Sequence, residues 1–370
     1  MPDPRVQKLA SVLVHYSLDV QPGHKIIVRT TTLGEELALA VYREALLAGA
    51  YVTLNCEFPG ASEIFFRNAS DAQIDYVEPH SKTILETYDR SLSIGAEQNS
   101  RDLSAVSPER RARRSQANRG LMKILMDRTA RGEMSWCYTQ FPTHASAQDA
   151  DMSLADYEDF VYKAGKLDTP DPVAEWQAFG LRMRQLTDWL AGRDHMVLKG
   201  KDIDLSLSIR GRTFEAADGK ANFPDGEIFS GPVEDSVNGW VRYQYPAIYG
   251  GREVTNIELR FENGKVVSEK ADKGQDLLTS LLNQDAGARY LGEIGIGTNY
   301  DIPRFTKNML FDEKLGGTFH FAGGASYPET GGVNESGLHW DMLCDMSDSE
   351  VQVDGELFYR NGKPVLWENR

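Results

Sequence analysis

His24-Lys25-Ile26-Ile27-Val28-Arg29 and Tyr51-Val52-Thr53-Leu54 flank a stretch from Glu35 to Leu47 that is rich in Ala, Leu and Glu and is followed by Gly49. The two short apolar runs read as strands. The stretch between them reads as a helix, with Gly49 placed where a C-cap would stand. Strand, helix and strand within roughly 30 residues make a βαβ unit, and a βαβ unit implies a parallel sheet. Upstream, Asp3-Pro4 supplies an N-cap and a proline at the first helical position, and Val6, Leu9, Ala10 and Leu13 recur at helical spacing. Downstream, Ser91-Leu92-Ser93-Ile94, closed by Gly95, and Trp136-Cys137-Tyr138 predict further strands. Three long helices are expected between Pro108 and Gly192. One spans 109–128. One starts after Ser153 as a cap, with Asp156 three residues on. One starts at Asp171-Pro172 and ends at Ala191-Gly192-Arg193.

The pattern changes near residue 195. Ile203, Leu205, Leu207 and Ile209 alternate strictly, as a half-buried strand does. Asn263-Gly264, Asp354-Gly355 and Asn361-Gly362 are hairpin signals, the first two after alternating apolar residues. One helix is expected over 275–290. The fold class is therefore α/β: a largely parallel N-terminal domain, 1–194, followed by a strand-rich mixed α/β domain, 195–370.

Composition narrows the function. The 370 residues carry 40 Lys and Arg against 55 Asp and Glu, a net charge of −15, which argues against nucleic acid as the main partner. No apolar stretch approaches the roughly 20 residues that span a bilayer, and the sequence around Met1 to Arg5 lacks a leader's apolar centre. Cys56, Cys137 and Cys344 are widely spaced and form no CxxC motif, which suits a reducing cytoplasm. The basic run Arg110-Arg111-Ala112-Arg113-Arg114 reads as a solvated helix face.

The densest chemistry lies between His320 and Asp341. In His339-Trp340-Asp341 the imidazole and the carboxylate stand two residues apart, so on a strand both project from one face while Trp340 and Met342 project from the other. His320 sits in an apolar frame 19 residues earlier, and Gly323-Gly324 and Gly331-Gly332 give the intervening chain freedom to turn. Glu293, in Tyr290-Leu291-Gly292-Glu293-Ile294-Gly295-Ile296, is costly to bury unless it is paired or bound to metal. Glu227 stands where a turn feeds a short apolar strand. These residues together admit a metal site; taken singly, each glutamate reads as a salt-bridged strand-end residue and each histidine as a hydrogen-bonded core residue.

Together they make a resemblance specific. The chain resembles the aminopeptidase T family of dinuclear metallopeptidases, also called thermophilic metalloproteases. The stretches that carry it are 222–232, Gly287-Ala288-Arg289-Tyr290-Leu291-Gly292-Glu293, 310–327, Asn334-Glu335-Ser336-Gly337-Leu338-His339-Trp340-Asp341 and, in the first half, Met152-Ser153-Leu154-Ala155-Asp156-Tyr157-Glu158-Asp159-Phe160-Val161. The resemblance implies metal ligation by Glu227, Glu293, His320, His339 and Asp341, with Glu293 shared by two ions. It implies that Tyr327 steadies the tetrahedral intermediate and that Glu313 binds metal or moves protons. The spacing from Glu313 to His320 is two residues longer than the family pattern, which leaves the role of Glu313 open, with Asp312 a weaker substitute. Five nitrogen and oxygen ligands without a thiolate suit Zn²⁺, Co²⁺ or Mn²⁺. The implied activity is a metallo-aminopeptidase that removes the N-terminal residue of short peptides by two-metal activation of water. It would work as a cytoplasmic homodimer, with no nucleic-acid or membrane partner. The rival readings are a small-molecule-binding α/β protein with a structural metal and another dinuclear hydrolase such as a phosphoesterase.

Overall fold

The computed structural model describes residues 3–368, so Met1 and Pro2 of the leader reading lie outside the described residues. By contact density the chain divides into two compact units: Met1–Val173 with Gly219–Pro224, and Ala174–Asp218 with Asp225–Arg370.

The first unit is built on the βαβ stretch. Strand Lys25–Thr31 pairs in parallel with Tyr51–Glu57 on one side and with Arg90–Gly95 on the other. The helix between the first two strands is Glu35–Leu47; it buries Leu37, Ala38, Val41 and Ala45, and Gly49 follows it with φ +83°. Strand Ser135–Gln140 extends the parallel sheet, and the returning segment Asn222–Phe223 forms its edge. Local signals set the helix starts. Asp3 accepts from the Arg5 amide at 2.8 Å, and Ser153 accepts from the Asp156 amide at 3.1 Å. The expected single helix over 109–128 is two helices, Pro108–Ala117 and Arg119–Ala130, broken at Asn118. Their basic run is not simply a solvated face: Arg113 pairs with Asp71 and Asp75, and Arg114 with Glu78. Among the described residues no helix is long and apolar enough to cross a membrane.

The second unit holds two antiparallel sheets and a two-stranded ribbon. In the eight-stranded sheet, Ile203, Leu205 and Leu207 are buried while Asp204 is exposed, as their alternation required. All three dipeptide turns close hairpins of this sheet, and in each both residues have positive φ: +49° and +82°, +52° and +81°, +47° and +79°. That is the backbone of a turn matching the strand twist, and it selects Asn or Asp followed by Gly. The helix expected over 275–290 is shorter, Gln275–Leu282. Asp285 ends the helical run by accepting from the Gly287 and Ala288 amides at 3.0 and 2.9 Å, a side-chain turn that competes with helix.

The five-stranded sheet runs, in spatial order, His339–Asp345, Thr318–Gly324, Leu291–Gly297, Glu227–Ser230 and Glu215–Ala217. Every residue of its strands Leu291–Gly297 and Thr318–Gly324 is buried. Both are therefore near-continuous apolar runs, and Glu293 and His320 stand out in them as buried polar residues that need partners. One face is packed with Ile294, Ile296, Phe319, Phe321, Trp340 and Met342, each at most 3% exposed.

The turns give a matched test. Gly264 and Gly355 share a left-handed conformation, but a Cβ on Gly264 would stand 1.8 Å from the Glu234 carbonyl oxygen, whereas a Cβ on Gly355 meets nothing within 4 Å. Gly355→Ala is expected to cost about 1–2 kcal/mol from conformation alone. Gly264→Ala is expected to cost roughly 1–3 kcal/mol more from the clash. Urea unfolding of the two variants checks the difference; equal losses would contradict the steric account.

Candidate metal centre

Strand register brings the candidate ligands to one face. Gly297 is opposite Glu227, and Glu293 is opposite Ala322. Ala322 is in turn opposite Asp341, and Gly324 is opposite His339. Because paired residues share a face and alternate residues along a strand share a face, Glu227, Glu293, His320, His339 and Asp341 all project from the same side of the sheet. Trp340 and Met342 project from the other side, as the H-x-D spacing required. Ala322, with only a methyl group, stands between Glu293 and Asp341 in one row. A register shift between Leu291 and Glu293 leaves Gly292 as an extra residue, the kind of bulge that re-aims a side chain. Gly295 lies opposite His320, and a Cβ there would fall 1.9 Å from the His320 Nε2. The glycine is what lets the imidazole lie across the sheet.

The distances describe two adjoining ligand sets. His320 Nε2 is 3.2 Å from Glu227 Oε2 and 3.6 Å from Glu293 Oε1. His339 Nε2 is 3.1 Å from Glu293 Oε2 and 3.8 Å from Asp341 Oδ1. Glu227, Glu293 and His320 each offer a ligand atom within 4.8 Å of the others, and so do Glu293, His339 and Asp341. The donor chemistry suits divalent cations. Glu227 Oε2 and Asp341 Oδ1 are buried and form no hydrogen bond, with only imidazole nitrogens near them, so each keeps lone pairs for a cation. His339 Nδ1 is 2.9 Å from the Ala325 carbonyl oxygen. Donating there leaves Nε2 as the free lone pair, the arrangement that orients a metal-binding histidine.

Electrostatics fits the same picture. Burial raises the Glu293 carboxyl, but its hydrogen bonds to His320 and His339 outweigh burial and hold it at about 2. Burial lowers the His339 imidazole, and its bond to Glu293 overrides that and pushes it up to about 9. Without a cation His339 thus serves as a counter-ion of Glu293, and a bound cation would take the place of its Nε2 proton. Tyr327, 39% exposed, stands at the rim with its hydroxyl 3.4 Å from His339 Nε2 and its ring packed edge-on against Phe229. Desolvation, reinforced by the charge of Glu293, raises its phenol, which therefore keeps its proton.

The two acids left open by the longer spacing part company. Glu313 reaches the centre, with an oxygen within 4.8 Å of ligand atoms of His320 and Asp341. Asp312 is turned away and fully buried, accepting from the Thr306 amide at 2.7 Å and the Thr306 hydroxyl at 2.8 Å. Cys344 is buried, and desolvation pushes its thiol up to about 12, which makes it a core residue and not a nucleophile. Arg289 braces Glu269, and Asn334 ties the Gly287 and Gly324 carbonyls together.

One residue of the centre escaped sequence reasoning. Lys314 is 0% exposed, and its ammonium lies 3.1 Å from Glu227 Oε1, 3.8 Å from Asp225 Oδ1 and in contact with Glu313 Oε1. The available signal was a lysine directly after Glu313, inside the segment that is longer than the family pattern.

The model of the thermophilic metalloprotease (M29) family matches residues 2–365. Aminopeptidase AmpS of Bacillus subtilis (strain 168) is 25% identical over 405 residues, covering 97% of this chain and 98% of its own. Among solved structures, wild-type AmpT from Thermus thermophilus superposes with a TM-score of 0.85 at 23% identity, over 98% of this chain and 99% of that one. A 2,5-dihydroxypyridine dioxygenase from Pseudomonas putida KT2440 shares the fold more loosely, with a TM-score of 0.61 at 13% identity over 98% and 97% of the two chains. The fold is thus compatible with unlike chemistries, and the site residues must carry the functional argument.

Gly295→Ala tests the face geometry. The added methyl must displace the His320 ring, so the variant is expected to bind fewer metal equivalents than the unsubstituted protein after equilibrium dialysis, as measured by elemental analysis. Unchanged metal content would show that His320 need not occupy that position.

Proposed function

The chain belongs to the thermophilic metalloprotease family M29, and on that premise we propose that it is a metal-dependent aminopeptidase acting on short peptides with a free N-terminus. The observation that carries the reading is Glu293, whose two buried oxygens each face a different imidazole Nε2. A carboxylate so placed suits a bridge between two divalent ions, one with Glu227 and His320 and one with His339 and Asp341. A single structural ion would not call for both Glu227 and Glu293. Zn²⁺, Co²⁺ and Mn²⁺ all suit this oxygen and nitrogen donor set.

Ions bound there would acidify water and polarise the scissile carbonyl. The remaining chemistry falls to the side chains. Glu313, whose carboxylate reaches the centre, takes the proton of the attacking water and returns it to the leaving amine. Tyr327, protonated and at the rim, donates its O–H to the carbonyl oxygen as that oxygen becomes negative. The acids around the centre attract the α-ammonium of the substrate, which restricts cleavage to the first residue. By family resemblance the reading extends to a cytoplasmic homodimer.

The test is release of the N-terminal amino acid from free and N-acetylated peptides after chelation and metal add-back. Release is expected to require metal and a free amine; release that persists after chelation, or equal rates on both peptides, would overturn the reading. Glu293→Gln should lose most activity and at least one bound ion while staying folded. Glu313→Gln should lower kcat by about 10²–10⁴-fold with its metal retained. Tyr327→Phe should lower kcat by about 100-fold.

A further inference from the structure

We propose that Lys314 makes the two halves of the centre unequal, so that the His339 side holds its ion tightly and the His320 side holds its ion weakly. The inference rests on the two-ion reading above and adds a residue that the reading does not use.

Lys314 has no exposed surface, and among the described residues its ion pairs are with Asp225, Glu227 and Glu313. Of these three, Glu227 and Glu313 reach the candidate ligands; Glu227 belongs to the His320 side, and Glu313 stands near both His320 and Asp341 as the acid given the proton-moving role above. Glu227 Oε1 is 3.1 Å from the ammonium, while its Oε2 faces His320 Nε2. Glu227 therefore has one oxygen to give an ion, not two. The ammonium also places a fixed positive charge beside that position, where like charges in a buried setting repel strongly. On the His339 side the ammonium acts only at longer range, on the shared Glu293. The ligands of that side, Glu293, His339 and Asp341, form no ion pair with a lysine or arginine among the described residues.

Charge balance explains why a lysine belongs there at all. Asp225, Glu227, Glu293, Glu313 and Asp341 bring five carboxylates into one buried region. The ammonium leaves four net negative charges, which two divalent ions neutralise. Before metal arrives, Lys314 steadies the Glu227 side as the imidazoles steady Glu293. An internal cation of this kind lets the metal-free protein fold, and its cost is weaker binding of the nearer ion. Activity that needs both ions would then follow the occupancy of the His320 side and respond to available metal.

Co²⁺ titration of the metal-free protein, followed by calorimetry and visible absorption, tests this. The unsubstituted protein should bind one equivalent at least tenfold more tightly than the second. His339→Ala should remove the tight step, and His320→Ala the weak one. Lys314→Met should strengthen the weak step at least tenfold, and its metal-free form should melt lower and gain more from Co²⁺. Lys314→Arg, which keeps the charge, should retain the weak step. A merely structural lysine would not tighten metal binding when removed. Two equal steps in the unsubstituted protein would overturn the proposal even where Lys314→Met fails to fold. So would a Lys314→Met variant with both steps unchanged or the second step lost. Failure of the unsubstituted protein to bind any Co²⁺ would instead reject the metal-centre reading from which the proposal starts.

Discussion

The second unit depends on one constraint: charged groups buried on a sheet face must neutralise one another or bind something that does. Glu293 is 4% exposed and His320 1%, on strands otherwise built from apolar residues, glycine and one threonine. Ionised groups that far from water are expensive unless paired. Here the pairing is mutual, with Glu293 between two imidazoles and Glu227 between His320 and Lys314. The surrounding choices follow from it. Gly295 yields space to the His320 ring, the extra residue at Gly292 turns Glu293, and the Ala325 carbonyl fixes the tautomer of His339.

Much of this was legible because strands have a period of two. His339 and Asp341 were placed on one face, and Trp340 and Met342 on the other, by counting alone. The hairpin dipeptides were equally readable, since few residues accept positive φ at two consecutive positions. Glu227 and Glu293 were weaker signals. Each was an acid in an apolar or turn-rich frame, and nothing local told a strand-end salt bridge from a ligand. Their convergence depends on a strand order, Glu227–Ser230 beside Leu291–Gly297 beside Thr318–Gly324, that joins residues far apart in sequence. The misread helices have local causes. One breaks at Asn118, whose backbone (ψ −1°) departs from the helix, and Asp285 truncates another, its short polar side chain competing with the helical backbone.

Fold and chemistry are separable in this architecture. The same chain path is shared with AmpT from Thermus thermophilus and, more loosely, with a protein named as a dioxygenase. The five-stranded sheet packs one face with apolar side chains and gathers five polar candidates on the other. The parallel sheet of the first unit was the most readable part of the sequence and says least about function.

Lys314 is the clearest case of information that periodicity does not hold. Lysine is almost never fully buried, so the default reading of one beside a glutamate is a surface pair. What turns it inward is the segment between Glu313 and the strand of His320. The Asn299 amide bonds to the Lys314 carbonyl at 3.0 Å, and Gly316 packs so closely on Tyr300 that a Cβ would fall 2.6 Å from its ring. Gly317, at φ +95°, then reverses the chain into Thr318–Gly324. Lys314-Leu315-Gly316-Gly317 thus forms one device, in which two glycines permit the close turn and the turn carries an ammonium to the acids. A longer spacing that might have displaced Glu313 instead keeps it at the centre and delivers a cation beside it.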